Sequence, residues 1–400
     1  QMVGNRVVVT GLGCISPYGK GVSSLWNGLM STQGILKWNE QLQHVVGQVS
    51  DDVIGEIPSS EKREKGRVVL WSEMAAAEAM KDARAEEMDH TETMVNVGTG
   101  VVDLELIGDT AEMVRSGKGR KTSPFFTPRI LNNMPAGYVA MKYGIRGGAE
   151  CMSTACATGV HSIGSAFHRI RYGSVRRAIC GSTEAAVTPL GIHAFARMRA
   201  LARGEDALSS PFDERRAGFV MSEGSAFLFL EREEDARRRG VKIYAEMKGF
   251  GISSDISHIT SPPPDGSGLR MAMERAMKDG EIEREKIEYV NAHATSTRNG
   301  DEAEAAAIEK LLGDGVRVSS NKGHVGHLLA GAGSIETLAT VLSLEKGELP
   351  HTLNMEKSDC ARIRHVQRGE KIEREDACAL VNSSGFGGTN AVLLLQKYRP

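Results

Sequence analysis

The chain has 400 residues, of which 40% are hydrophobic and 25% charged, and its formal net charge is −2. That length suffices for one large domain or two ordinary domains around a sizeable core. The near-neutral charge argues against a nucleic-acid partner, and no apolar run reaches the roughly 18 residues that a membrane span needs. No signal peptide opens the chain, and we expect a soluble globular protein.

The cysteines are scattered rather than paired. The chain contains no CxxC motif, which argues for a reducing compartment and against a disulfide framework or a zinc ribbon. Each cysteine is therefore judged as a free thiol. The six are Cys14, Cys151, Cys156, Cys180, Cys360 and Cys378.

Short β-branched runs alternate with alanine-rich amphipathic segments along the whole chain, which predicts an α/β fold. The first series has strands at 6–13, 94–100, 176–185 and 227–231, with helices near 72–85 and after residue 156. The second series has strands at 244–251, 288–297, 317–327 and 378–396, with helices at 268–280, 301–313 and 328–347. Two similar series predict two halves of similar plan, residues 1–243 and 244–400.

The run MSTACATG at 152–159 sets one cysteine among small residues. If a strand ends near Met152 and a helix begins near Thr158, Cys156 lies at a strand-to-helix turn, where the helix N-terminus favours an anion. Such a position can lower the thiol pKa from about 8.5 by one unit or more, which would make Cys156 nucleophilic. The small neighbours leave room for an acyl adduct. A buried core cysteine is the alternative interpretation.

Two histidines follow predicted strands in loops of small residues. His293 lies in NAHATST, and His327 lies in NKGHVGHLLAGAG, where it opens a predicted helix five residues after Lys322. Because the carboxyl ends of the strands meet at one edge of a sheet, we expect both loops to face one cleft. Purely structural histidines remain the alternative.

A glycine cluster surrounds Phe386 in VNSSGFGGTN, residues 381–390. It lacks the spacing of phosphate-binding loops, but it could supply a backbone N–H to an oxyanion while Phe386 covers the thiol. A zinc site built from the cysteine and both histidines is disfavoured, because the three lie on separate turns without a close ligand pair. A Cys/His protease would leave the second histidine unexplained.

Taken together, these motifs resemble β-ketoacyl-acyl-carrier-protein synthases of the elongating type II class, nearly from end to end. The stretches that carry the resemblance are RVVVTGLG (6–13), SPFF (123–126), ILNNM (130–134), STACATG (153–159), SPFDERRAGFVMSEG (210–224), IYAEMKGFGISSD (243–255), NAHATST (291–297), SSNKG (319–323) and NSSGFGGTN (382–390). The resemblance implies the thiolase fold, with two pseudo-symmetric halves in a five-layered αβαβα core, and a homodimer.

The resemblance also implies the reaction, which is fatty-acid elongation. An acyl group on acyl carrier protein (acyl-ACP) would condense with malonyl-ACP in a decarboxylative Claisen condensation. The products would be 3-oxoacyl-ACP, carbon dioxide and free ACP, formed through an acyl-cysteine intermediate. No cofactor or metal of its own is implied, because the phosphopantetheine arm belongs to the carrier protein. The compartment would be the mitochondrial matrix in a eukaryote and the cytoplasm in a bacterium.

Residue roles follow from the same resemblance. Cys156 would be the nucleophile, and its backbone N–H, with that of Phe386, would hold the oxyanion. His293 and His327 would stabilise the enolate formed from malonyl-ACP. The supporting residues would be Lys322 and Glu336 in a buried polar network, Thr295 and Thr297 on the phosphopantetheine arm, Val101 at the acyl tunnel and dimer interface, and Lys118, Arg120, Lys121 and Arg129 in carrier docking.

Two residues depart from the family pattern. Ser384 stands where phenylalanine is usual and Arg298 where proline is usual, which puts the gating of the Phe386 loop and the entry of the carrier arm in question. Two alternative functions remain. A non-catalytic chain-length partner of a ketosynthase heterodimer normally lacks the active cysteine. A thiolase-like acyltransferase would use a second cysteine where Ser383 and Ser384 stand.

Overall fold

A computed structural model describes residues 4–55, 57–360 and 362–399. The strands are β1 Val7–Ser16, β2 Gly19–Lys20, β3 Lys37–Asn39, β4 His44–Val46, β5 Thr93–Thr99, β6 Ala149–Glu150, β7 Arg177–Glu184, β8 Gly224–Arg232, β9 Ala245–Ser254, β10 Ile287–Asn291, β11 Arg317–Ser319, β12 Arg364–His365, β13 Cys378–Gly385 and β14 Thr389–Lys397. The α-helices are α1 Val22–Met30, α2 Asp51–Gly55, α3 Ser59–Glu64, α4 Arg67–Asp82, α5 Leu104–Arg115, α6 Phe126–Ile130, α7 Met134–Tyr143, α8 Thr158–Arg171, α9 Pro189–Arg197, α10 Glu233–Arg239, α11 Ser267–Gly280, α12 Arg298–Leu312, α13 Lys322–Val325 and α14 Ala332–Lys346.

The main sheet consists of two halves with the same strand order. The N-terminal half runs β1-β8-β7-β5-β6, and the C-terminal half runs β9-β14-β13-β10-β11, with β12 beyond it. Within each half the first two pairings are antiparallel and the next two are parallel. The halves join where β1 pairs with β9 over residues 7–9. The predicted pseudo-symmetry is therefore confirmed, while the exact boundary at residue 244 stays a prediction.

The helices α8 and α14 form the central layer between the two halves. Each contacts strands from both halves, whereas α4 packs on the outside of β1 and β8, and α11 packs on the outside of β9 and β14. Thirteen of the fifteen residues of α14 are buried, as expected for a helix enclosed on all sides. This arrangement is the predicted five-layered αβαβα core.

Small residues allow the two central helices to approach closely. A Cβ added at Gly159 on α8 would lie 2.5 Å from the backbone nitrogen of Ser334 on α14. A Cβ added at Gly333 would lie 2.8 Å from the backbone nitrogen of Val160. The glycines at these facing positions of the two helices thus serve the packing of the core layer.

Most predicted elements are present with shifted ends, but two predicted strands are too long. The strand predicted at 288–297 ends at Asn291, and the strand predicted at 317–327 ends at Ser319, where α13 follows. The predicted strand at 378–396 is a hairpin of β13 and β14 around the glycine cluster. Beyond Asn291 the chain forms a loop up to α12, and beyond Ser319 it enters α13, so neither segment stays extended.

Within the described part of the chain, no helix combines the length and apolar character needed to cross a membrane.

The close approach of α8 and α14 predicts a stability change. We expect Gly159→Ala to destabilise the protein by about 1–3 kcal/mol, because the new methyl group meets backbone that cannot move aside without shifting a helix. Gly137→Ala in α7 is the matched control: no atom lies within 4 Å of its Cβ position, and alanine favours a helix. Denaturant unfolding of both variants measures the difference. Equal stability of the two would contradict tight packing of the central layer.

Candidate active site

Cys156 lies in a single 3₁₀ turn, Ala155–Ala157, that leads into α8. The helix begins at Thr158, as the sequence predicts. The hydroxyl of Thr158 accepts a hydrogen bond from the backbone N–H of Thr154 (2.8 Å) and donates one to the carbonyl of Ala155 (2.6 Å). From the C-terminal half, Ser383 Oγ donates to the Cys156 carbonyl (2.9 Å). Both halves of the protein therefore fix the cysteine turn.

His327 reaches the cysteine from the other half. Its Nε2 lies 3.1 Å from Cys156 Sγ. Its backbone N–H donates to Val220 (2.8 Å) and its carbonyl accepts from Ser222 (2.9 Å), so the backbone around the ring is held on both sides. The Phe219 ring and the His327 imidazole pack edge to face, with ring centroids 5.1 Å apart.

The predicted position of His327 at the start of a helix is wrong. His327 lies in the short segment between α13 and α14, where it forms an isolated β-bridge with Met221. Gly326, with a φ of 73°, ends α13 just before it. A 3₁₀ turn, Leu329–Gly331, then precedes α14, which starts at Ala332. The histidine is thus fixed by strand-like hydrogen bonds and not by a helix.

His293 lies two residues after the end of β10, beside His327. The two imidazole rings meet edge to face, with centroids 5.5 Å apart. The backbone N–H groups of His293 and Ala294 donate to the two carboxylate oxygens of Glu304, at 2.9 and 2.6 Å. Asn382, from the hairpin that carries the glycine cluster, also donates to Glu304 (3.0 Å).

Glu304 is a positioning residue that our sequence analysis missed. It is 4% exposed on α12, one turn before Ala307 and Ile308, which are both fully buried. A carboxylate on the same face as buried apolar residues at i+3 and i+4 is a signal that the sequence does contain. Its function in the fold is to hold the His293 loop against the glycine-rich hairpin.

Lys322 and Glu336 form an ion pair below the histidines, as the sequence analysis proposed. The Lys322 and Glu336 residues are 1% and 2% exposed, and their side chains are in direct contact. Burial raises the pKa of Glu336, and the Lys322 ammonium opposes that rise. The charge of Lys322 acts on Cys156 and on both histidines.

The surroundings of both histidines favour the neutral imidazole. Burial, reinforced by the positive charge of Lys322, holds the pKa of His293 and of His327 well below the usual 6.5. Neither Nδ1 atom has a hydrogen-bond partner among the described residues. Each imidazole can therefore carry its single proton on either nitrogen.

The predicted lowering of the Cys156 pKa is wrong. Burial raises the pKa of the Cys156 thiol to about 12, an effect that Lys322 opposes and that Glu184 and Glu336 reinforce. Desolvation of the sulfur outweighs the favourable field of the helix N-terminus. The resting cysteine is a thiol, and Nε2 of His327 is the nitrogen placed to take its proton.

The side chains of Cys156, His293 and His327 line one cavity of about 430 Å³. Phe386 and Ser384 from the glycine-rich hairpin form part of the wall, and Ser384 Oγ donates to Asn390 Oδ1 (2.7 Å). Thr295 and Thr297 line the same cavity, with their hydroxyl oxygens 3.1 Å apart. A cavity with a thiol, two neutral N–H donors and a row of hydroxyl groups suits acyl transfer to sulfur.

The residues predicted for the acyl tunnel and for carrier docking lie outside the cavity lining. Val101 does not line the cavity, but it packs against the apolar cluster that contains Cys156, so its place at an acyl tunnel stays a prediction. Lys118, Arg120 and Lys121 are exposed and outside the cavity lining. Arg129 is not free for docking, because both its Nε and Nη2 donate to the carboxylate of Asp103.

Among the described residues, one group of side chains has metal-ligand spacing: Glu302, Asp359 and Cys360. It lies outside the cavity lining, and the Arg216 guanidinium already contacts Asp359. Cys156, His293 and His327 are not part of that group.

Comparisons with known proteins agree with this geometry. The family model described as "Beta-ketoacyl synthase, N-terminal domain" matches residues 4–236, and "Beta-ketoacyl synthase, C-terminal domain" matches residues 244–356. The chain is 39% identical to a putative mitochondrial 3-oxoacyl-[acyl-carrier-protein] synthase of Schizosaccharomyces pombe, over 98% of this chain and 99% of the relative. It is also 39% identical to 3-oxoacyl-[acyl-carrier-protein] synthase 2 of Synechocystis, over 98% of each chain.

Solved structures lead to the same family. A β-ketoacyl synthase from Burkholderia phymatum superposes with a TM-score of 0.90 at 29% identity, over 99% of this chain and 100% of the other. A type II polyketide ketosynthase in complex with its acyl carrier protein superposes with a TM-score of 0.89 at 30% identity, with the same coverage. By both domain models and by nearly full-length identity, the chain belongs to the β-ketoacyl synthase family.

Proposed function

We propose that this protein condenses acyl-ACP with malonyl-ACP, with loss of carbon dioxide, to give 3-oxoacyl-ACP in fatty-acid elongation. The observation that carries the proposal is the convergence of a buried thiol and two neutral imidazoles in one cavity. A thiol accepts an acyl group, and two N–H donors stabilise an oxyanion without adding a proton to it. The relatives named as 3-oxoacyl-ACP synthases support the substrate class.

In the first half-reaction Cys156 takes the acyl group. As Sγ attacks the thioester carbonyl, its proton moves to Nε2 of His327. The carbonyl carbon forms a bond to Sγ, its bond to the carrier sulfur breaks, and His327 returns the proton to the departing carrier thiolate. The backbone N–H groups of Cys156 and Phe386 would hold the tetrahedral oxyanion, and such a donor typically contributes about 3 kcal/mol.

In the second half-reaction His293 and His327 face the thioester oxygen of malonyl-ACP. The carboxylate leaves as carbon dioxide, and its bonding electrons form an enolate whose oxygen the two N–H groups stabilise. The enolate carbon then attacks the acyl-cysteine, the bond from carbon to Sγ breaks, and a proton from solvent restores the thiol. Neutral histidines suit this step, since each presents one N–H toward the developing charge.

Two alternative functions fit the site less well. A non-catalytic chain-length partner has no use for a buried thiol that lies 3.1 Å from an imidazole. A thiolase-like acyltransferase needs a second thiol in the cavity, and Cys156 is the one cysteine that lines it within the described residues. Ser383 is instead bonded to the Cys156 carbonyl.

The carrier protein, the dimer and the compartment are further parts of the proposal. A homodimer would cover β6, which forms one edge of the main sheet, and could cover the exposed apolar side chains that precede it. These are Ile107, Val114, Phe125, Leu131 and Met141. Lys118, Arg120 and Lys121 remain available to attract an acidic carrier protein. The relatives include mitochondrial and bacterial synthases, and either compartment suits the proposed reaction.

The two half-reactions predict different consequences for different substitutions. Cys156→Gln should abolish condensation but still release carbon dioxide from malonyl-ACP, because the enolate needs only the histidine N–H groups. His293→Ala and His327→Ala should each slow that release by about 10² or more, the usual loss when one oxyanion donor is removed. The measurement is acetyl-ACP formation from malonyl-ACP alone. An inert Cys156→Gln variant together with normal decarboxylation by both histidine variants would show that the two half-reactions are not divided between the cysteine and the histidines as proposed.

The homodimer has its own test. Sedimentation of the purified protein at micromolar concentration should give twice the 43.1 kDa chain mass. The Met141→Asp variant should shift the equilibrium toward the monomer, because it places a charge among the exposed apolar side chains. A wild-type protein that sediments as a monomer would refute this part of the proposal.

A further inference from the structure

Two arginines line the cavity that contains Cys156. Arg298 begins α12, and Arg199 follows α9 in a backbone conformation with a φ of 57°, which is uncommon for a residue with a side chain. Both are exposed to solvent. They therefore border the part of the cavity that opens to solvent, while Cys156 and His327 lie buried within it and His293 is partly exposed.

Neither guanidinium has an ion-pair partner. Among the described residues, no carboxylate oxygen lies within 4.0 Å of a side-chain nitrogen of Arg199 or Arg298, and neither side chain donates a hydrogen bond. Arg216, whose Nη2 donates to the backbone carbonyl of Arg298, is instead paired with Asp359. The two cavity arginines are free to bind an anion from outside the chain.

Within the described cavity lining, the carboxyl groups form no ion pair with either arginine. The lining contains two carboxyl groups, those of Asp255 and Glu304. Glu304 is occupied by the backbone N–H groups of His293 and Ala294. Burial raises the pKa of Asp255, and neither of its carboxyl oxygens lies within 4.0 Å of a side-chain nitrogen of Arg199 or Arg298. The formal charges of the lining therefore balance, but the two guanidinium groups at the opening are unpaired in the described part of the chain.

We propose that Arg298, together with Arg199, binds the phosphate group of the phosphopantetheine arm that carries the acyl and malonyl groups. The inference rests on the proposed function, which brings a thioester with a phosphate at the far end of its arm into this cavity. Guanidinium groups bind phosphate through charge-assisted and often bidentate hydrogen bonds. The phosphate binds at the opening while the thioester reaches Cys156.

The course of the chain matches the course of such an arm. Residues 293–298 run from the imidazole beside the thiol, past the hydroxyl groups of Thr295 and Thr297, to the guanidinium at the opening. Thr295 is 8% exposed, so the middle of this path is nearly closed to solvent. Hydroxyl groups suit the amide groups in the middle of the arm, and the arginine suits the anion at its end.

Equilibrium binding tests the inference without requiring turnover. The probes are 4′-phosphopantetheine and pantetheine, which differ only in the phosphate. Wild-type protein should bind 4′-phosphopantetheine about tenfold more tightly, a typical value for a hydrogen bond to a charged group. Arg298→Gln should lose most of this preference, Arg298→Lys should retain part of it, and neither should change the affinity for pantetheine. Arg368→Gln is the matched control, because Arg368 is exposed and outside the cavity lining.

Three results would overturn the inference: no preference for the phosphate in the wild-type protein, a preference that survives in Arg298→Gln, or equal losses for both probes. An effect of Arg298→Gln seen only with acyl-ACP would instead assign the arginine to carboxylates of the carrier protein, which also overturns it. Acylation of Cys156 by acyl-ACP, followed by mass spectrometry, is measured separately. Failure of acylation with an intact phosphate preference would refute the proposed function and leave the phosphate site standing.

Discussion

The buried ion pair of Lys322 and Glu336 is the interaction on which the chemistry of the site depends. Moving two charges out of water costs several kcal/mol per ion, so a buried pair contributes little net stability. Its effect here is electrostatic: burial is the larger cause of the lowered pKa of His293 and His327, and the Lys322 ammonium adds to it by disfavouring a second positive charge. Two neutral imidazoles beside a thiol can exchange a proton with sulfur and still donate an N–H to an oxyanion. A protonated pair could not accept the thiol proton.

The fold explains how residues so distant in sequence meet. Cys156 comes from the start of α8 in one half, whereas His293, His327 and Phe386 come from loops of the other half. Because α8 and α14 form a shared central layer, the strand ends of both halves open onto the same cavity. Ser383 then ties the C-terminal hairpin directly to the cysteine turn. Neither half contains a complete site, and the pseudo-symmetric architecture is what creates one.

Local patterns predicted much of this site, and long-range packing accounts for the rest. The turn at Cys156 and the α/β alternation follow from neighbouring residues, and the residue types at 156, 293 and 327 indicated acyl transfer. The thiol pKa could not be predicted in the same way, because its rise to about 12 depends on burial by segments distant in sequence. The pairing of Arg129 with Asp103, 26 residues away, was equally invisible. Glu304 could have been found, since apolar residues follow it at i+3 and i+4 on the same helical face.

The most direct test of this account is the titration of His293 and His327 in the wild-type protein. Nuclear magnetic resonance of 15N-labelled imidazoles, assigned with the His293→Gln and His327→Gln variants, reports the protonation state of each ring. We expect both rings to remain neutral from pH 8 down through pH 6.5, the ordinary histidine pKa, because burial and Lys322 oppose the added charge. Rings that become protonated with midpoints near 6.5 would contradict the electrostatic role of the ion pair.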